Sequence, residues 1–222
     1  MVKKTILTAL IFSMPALIWA SSDNILSQLK SDPSNENLIS QVSVFALEKE
    51  DFLNKVLEEM ASPDNPSSYR CSLAKAVSAT QKDIAYVKTA QLLARSGGDL
   101  EICLSKAVGD TKNPYASAAL ESNVEEFIYG SDKGGEKDIK KKIAAINSIW
   151  SLGEIGSKEV MEKLEKYYNG SDEVLRINIV FSMGKLKNNK VLPYLRKIAQ
   201  NASESMAVRS AAYEMIDELE GK

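Results

Sequence analysis

Among the residues able to do chemistry, the missing one matters first: the chain contains no histidine. That absence removes the commonest general base, the Ser-His-Asp arrangement and most transition-metal sites together. Catalysis would fall to carboxylates, lysines or a thiol. The carboxylates occur as neighbours, Glu58-Glu59, Glu125-Glu126 and Asp217-Glu218, yet adjacent residues on a helix do not share a face, so these pairs read as solvated surface. Cys71 and Cys103 are the only cysteines, at a separation that fits no metal or redox motif. A disulfide is the leading reading; two buried thiols acting as small apolar residues is the other. A bridge closing such a loop stabilises by about 3 to 4 kcal/mol through restriction of the unfolded chain, and leaves no nucleophilic thiol. The run Gly130-Ser131-Asp132-Lys133-Gly134-Gly135 lacks the Gly-Lys-Ser/Thr ending of a phosphate-binding loop and follows no strand pattern, so it reads as a flexible connection. The expectation is a non-enzymatic protein without catalytic residues, cofactor or metal.

The segments that would position these residues are helical almost throughout, because apolar residues recur at three- and four-residue steps and no stretch alternates as a strand does. Hydrophobic residues at 44% with 26% charged are enough for a sizeable core. The N-terminus stands apart. Lys3 and Lys4 precede the apolar run Ile6 to Trp19, which ends at Ala20 before Ser21-Ser22-Asp23. This is the pattern of a secretory signal cleaved near residue 20, the run being shorter than the roughly 20 residues needed by a membrane anchor. The mature chain is therefore expected to be exported, periplasmic or secreted, without stable membrane insertion. Removing Lys3 and Lys4 from the 28 basic residues leaves 26 against 30 acidic ones. A balance of about −4 argues against a nucleic-acid binder, whose affinity rests on basic groups.

Helices are expected at Ile25 to Leu29, Asn37 to Leu47 and Asp51 to Met60. The turn formers Ser62-Pro63-Asp64-Asn65-Pro66-Ser67-Ser68 then make the best internal boundary. Further helices follow at Cys71 to Ala79, Asp83 to Arg95, Leu100 to Val108 and Tyr115 to Tyr129, with Gly97-Gly98 and Gly109-Asp110 as separators. The chain thus divides into a signal (1–20), N-terminal helices (21–61), helical hairpins (69–129) and a C-terminal part (136–222).

That last part repeats. A shift of 31 residues sets Ile149 on Val180, Leu152 on Met183, Gly153 on Gly184, Ile155 on Leu186, Val160 on Val191 and Leu164 on Leu195; a shift of 33 sets Arg176 on Arg209 and Val180 on Tyr213. Each unit is a pair of amphipathic helices, neither of which can bury its stripe alone, so the pairs must stack. Residues 69–129 read as possible degenerate units, since no alignment with the later ones keeps more than a few apolar positions. Trp150, among Ile146, Ile149 and Leu152, reads as a core residue.

The residues Ala144-Ala145-Ile146 with Ser151-Leu152-Gly153-Glu154-Ile155-Gly156, then Val174-Leu175-Arg176 with Ser182-Met183-Gly184-Lys185-Leu186, and Val208-Arg209-Ser210-Ala211-Ala212 resemble the short HEAT-like repeats first named from phycobilisome lyases. The resemblance covers roughly 80 residues. It implies an all-α solenoid of stacked helical hairpins whose second helices, Lys158 to Tyr168 and Lys190 to Ile198, line a concave surface. On those helices Glu162, Lys163, Lys166, Tyr167, Tyr194 and Lys197 are the candidates for holding a protein partner, unless the tyrosines complete the core and the lysines face solvent. The function expected is an interaction scaffold; the resemblance equally permits an enzyme accessory or lyase-like chaperone.

Overall fold

The computed structural model describes residues 22–130 and 136–221, so the signal reading and most of the Gly130-to-Gly135 connection lie outside the described residues. Among the described residues every regular element is helical. The helices are α1 (Ser22–Ser31), α2 (Glu36–Glu48), α3 (Glu50–Ala61), α4 (Ser67–Ser78), α5 (Asp83–Leu93), α6 (Gly98–Asp110), α7 (Ser117–Tyr129), α8 (Glu136–Ile155), α9 (Lys158–Gly170), α10 (Glu173–Lys185), α11 (Leu192–Gln200) and α12 (Met206–Glu220). Single turns of 3-10 helix at Pro114–Ala116 and Asn189–Val191 lead into α7 and α11.

Local chemistry sets where these helices start. Asn35, Ser157, Asp172 and Ser205 each accept a hydrogen bond from the amide three residues on, at the heads of α2, α9, α10 and α12. Caps of this kind stabilise a helix by about 1 kcal/mol. The turn at 62–68 is held by Asn65, which donates to the Glu59 carbonyl and carboxylate, both at 2.8 Å, and accepts from Lys30 at 2.6 Å. The apolar core continues through this turn, joining Leu53, Met60, Tyr69 and Leu73 in one cluster that extends from Ile25 to Ile216.

The helices form two layers. α2, α4, α6, α8, α10 and α12 pack successively on one another, and α3, α5, α7, α9 and α11 lie behind them. The all-α solenoid is as expected, but it is longer than the resemblance implied, because four units share one register. Val77, Val108, Leu152 and Met183 are equivalent and fully buried; so are Thr89, Leu120, Leu164 and Leu195. These series step by 31, 44 and 31 residues, the 13 extra residues falling between α7 and the inner part of α8. Residues 69–129 thus keep the helix-pair spacing of the later units. Their turns match in detail: Thr80 and Thr111 each donate to the carbonyl three residues back at 2.6 Å, and Gln81 and Lys112 follow with φ of 56° and 54°. Lys187 and Gly156 occupy the same left-handed position in the later units.

The first-helix layer is held close by glycine against serine. A methyl group at Gly109 would collide with Ser151, one at Gly153 with Ser182, and one at Gly184 with Met215. Ser151 donates to the Ser105 carbonyl at 2.9 Å and Ser182 to the Ile149 carbonyl at 2.6 Å, in each case the carbonyl four residues before the glycine. Gly109 therefore sits inside a helix at a packing contact, and is not the separator read from sequence.

Gly153→Ala tests this contact. In an unpacked helix the change would stabilise by about 1 kcal/mol; here overpacking against Ser182 is expected to destabilise by about 1 to 3 kcal/mol. Gly97→Ala, with nothing near its added methyl, should differ from the parent by no more than about 0.5 kcal/mol. Urea denaturation of both variants reads the difference, and a stabilised Gly153→Ala protein would refute the close approach.

Candidate interaction face

The second-helix layer uses most of the nominated residues internally. Tyr167 is fully buried and its hydroxyl donates to Glu125 at 3.3 Å; burial first, then the Glu125 and Glu121 charges, push that hydroxyl's pKa far up. Lys163 pairs with Glu121 at 3.2 Å and its pKa is raised by that hydrogen bond. Lys166 reaches Glu125 at 3.4 Å and lies over the Tyr129 ring. Tyr194 is half-buried, meets Tyr168 edge-on at 6.0 Å and donates to the Glu165 carbonyl at 3.4 Å; burial, then the charges of Glu165 and Glu204, push its pKa up to about 12. Arg176 closes this corner with two bonds to Glu204, at 3.0 and 2.8 Å. Glu162 and Lys197 stand exposed.

As partner contacts, Tyr167 is therefore excluded by burial, while Lys163, Lys166 and Tyr194 are engaged in joining consecutive units. The reason is geometric: a layer spaced by tyrosines fills its gaps with their rings, leaving their hydroxyls to neighbouring acceptors. The carboxylate neighbours diverge as expected, Glu125 towards α9 and Glu126 to Lys141 at 2.6 Å on α8.

The outward face of the first helices is different. Trp150 is half-buried there and stands outside the apolar core cluster, contrary to the core role read from its neighbours. Ile149 and Leu152 point fully inward, and one residue's rotation from Ile149 carries Trp150 round to the surface. Its indole N–H donates to Asn178 Oδ1 at 2.6 Å, its ring stacks on Phe181 with centroids 6.2 Å apart and planes at 25°, and Lys185 Nζ lies 4.2 Å from its centroid. Lys185 also pairs with Glu154, which meets Lys112 at 3.4 Å. The Lys185 hydrogen bond in particular holds the Glu154 carboxyl below its ordinary range.

This face obeys the same 31-residue step as the core: Ile143 and Val174 are exposed equivalents, Ile146 and Ile177 half-buried ones, and Trp150 matches Phe181. That step was visible in the sequence, and following the outward positions as well as the inward ones would have found the ridge. The face continues N-terminally into a groove of about 540 Å³ between α2, α4, α6 and α8, lined by Ile39, Cys71, Ile102, Cys103 and Asn147 with Lys75 and Lys106 at its sides. Cys71 and Cys103 are joined as a disulfide, with Cα atoms 5.7 Å apart, tying α4 to α6. Asn147, whose amide donates to the Ile102 carbonyl at 3.0 Å, stands where groove and ridge meet. No cluster of metal-ligating side chains occurs among the described residues, and no described helix is long and apolar enough to cross a membrane.

Residues 138–219 match the family model for HEAT repeats. No curated protein matches the chain. Among solved structures, it is similar to the complex of CpcE and CpcF of phycocyanin lyase from Nostoc sp. PCC7120, with a TM-score of 0.53 and 12% identity over 91% of this chain and 79% of that one. Residues 138–219 are thus HEAT-like repeats, and the described chain as a whole has an α-solenoid fold. The expectation of a non-enzymatic protein does not hold: a solved structure similar to it in fold over most of its length is a lyase complex, so lack of histidine is no ground for excluding an enzymatic role.

Tyr167 separates a core role from a contact role. Tyr167→Ala should cost about 3 to 5 kcal/mol of stability, as deletion of a buried ring does, and Tyr167→Phe about 1 kcal/mol for the hydroxyl's bond. Equal stability of Tyr167→Ala and the parent, by thermal or urea unfolding, would return Tyr167 to the surface.

Proposed function

We propose that this chain is an exported accessory protein of the lyase-like chaperone class, which holds a polypeptide partner against the outward face of its first helices. The observation that carries this reading is the ridge formed by Trp150 and Phe181. A tryptophan stacked across two units, flanked by exposed Ile143 and Val174, concentrates the residue types that anchor protein interfaces. Lys185 and Lys112 share the Glu154 carboxylate beside it, so these charges are engaged within the face and apolar segments of a partner are favoured. The similar solved structure is a complex of two subunits of a lyase, which supports a protein partner and an accessory role. Export rests on the N-terminal pattern Lys3-Lys4, Ile6 to Trp19 and Ala20, and the acidic balance speaks against nucleic acid.

The sequence has two tryptophans, Trp19 and Trp150, so a chain cut after Ala20 keeps Trp150 as its single indole. Partners cross-linked to the mature chain in the exported fraction should be lost from the Trp150→Ala/Phe181→Ala variant. Once purified, they should change Trp150 fluorescence and bind the double variant at least about tenfold more weakly, the loss of one hot-spot contact. Lys197→Glu, on the second-helix face, should leave binding unchanged. Binding that survives the double variant but fails with Lys197→Glu would move the site to the second helices, and a protein retained in the cytoplasm with residues 1–20 intact would refute export.

A further inference from the structure

The Cys71–Cys103 disulfide lies at the edge of the core. Both cysteines are half-buried against it, and both also line the groove between α2, α4 and α6. The groove around them is apolar through Ile39 and Ile102, and its charges are paired off, Lys75 with Glu36 at 2.6 Å and Lys106 with Asp110 at 3.1 Å. A sulfur–sulfur bond at the wall of a neutral apolar groove of about 540 Å³ is open to attack by a thiolate carried on a peptide whose neighbouring side chains fill that groove. The chain has no third cysteine, so nothing within the protein competes for the exchange.

We infer that this groove is a thiol–disulfide exchange site for a cysteine-bearing apolar polypeptide, holding it as a mixed disulfide. The step balances without an external oxidant. The incoming thiolate forms a bond to Sγ of one cysteine, the Cys71–Cys103 bond breaks, and the electron pair leaves as a thiolate on the other cysteine, where it takes a proton from water. Attack by that second thiolate on the mixed disulfide re-forms the Cys71–Cys103 bond and expels the polypeptide as its thiolate. Capture is thus reversible, and the inference requires no contribution from the Trp150 ridge.

The test uses the intact mature protein with its disulfide formed. It is incubated with excess reduced glutathione in one arm and excess of a synthetic Ala-Leu-Cys-Leu-Ala peptide in the other, and the liberated cysteine is trapped by alkylation. Intact mass should show one thiol added per chain while the protein stays folded by circular dichroism. The peptide should react at least about tenfold faster than glutathione, because occupancy of the groove raises its effective concentration at the sulfur. Ile102→Glu, which places a charge in the groove, should bring the peptide's rate down to glutathione's. Adducts that form only at the rate of global unfolding would overturn the inference and leave the bridge a structural staple. Equal rates for both thiols, unaffected by Ile102→Glu, would overturn it equally. Loss of partner binding in the Trp150→Ala/Phe181→Ala variant with exchange intact separates this site from the ridge.

Discussion

The close approach of the first helices, glycine against serine, is the contact on which the rest of the molecule depends. Gly109 on Ser151 and Gly153 on Ser182 let consecutive backbones come near enough for each serine hydroxyl to reach a carbonyl of the preceding unit. A buried hydroxyl left without that partner would cost about 1 to 3 kcal/mol, so the same residues enforce both distance and register. Register then fixes everything outward of the core. Because equivalent residues stand one above another, Trp150 meets Phe181 and Lys185 meets Glu154, and a stripe on each helix becomes a ridge across two.

The two layers solve their spacing differently. Small residues bring the first helices together, whereas Tyr167, Tyr168 and Tyr194 fill the gaps between the second helices. The hydroxyls of Tyr167 and Tyr194 are taken by Glu125 and the Glu165 carbonyl, and the lysines beside them by Glu121 and Glu125. The second-helix face is consequently rich in residues that look recognisable in isolation but are occupied with holding units together. The first-helix face carries exposed Ile143 and Val174 beside its ion pairs, and its N-terminal half is hollowed into the groove beside the disulfide.

The C-terminal array was legible because inward positions such as Leu152, Met183, Leu164 and Leu195 repeat at a constant step. The earlier units were legible only as possible degenerate repeats, for a physical reason. Their core positions hold Ala85, Thr89 and Ala116 where later units hold Val160, Leu164 and Val191, so apolar size is not kept although burial is, and the 13-residue extension before α8's inner part breaks the step. Turn chemistry survived where size did not, in Thr80 with Gln81 and Thr111 with Lys112. Trp150 was misplaced since it neighbours Ile149 in sequence, although one residue of helical rotation separates their faces. The second-helix candidates were selected by residue type, which does not reveal that an acceptor already waits on the adjacent helix.

Hydrogen exchange resolved by residue tests most directly whether one continuous stack runs from Tyr69 to Leu219. If it does, the amides of α4 and α6 are protected to the same free energy as those of α8 and α10, and all lose protection together when Gly153→Ala loosens the middle of the layer. Exchange of residues 69–129 as a separate, weaker unit, unchanged by that substitution, would contradict the account.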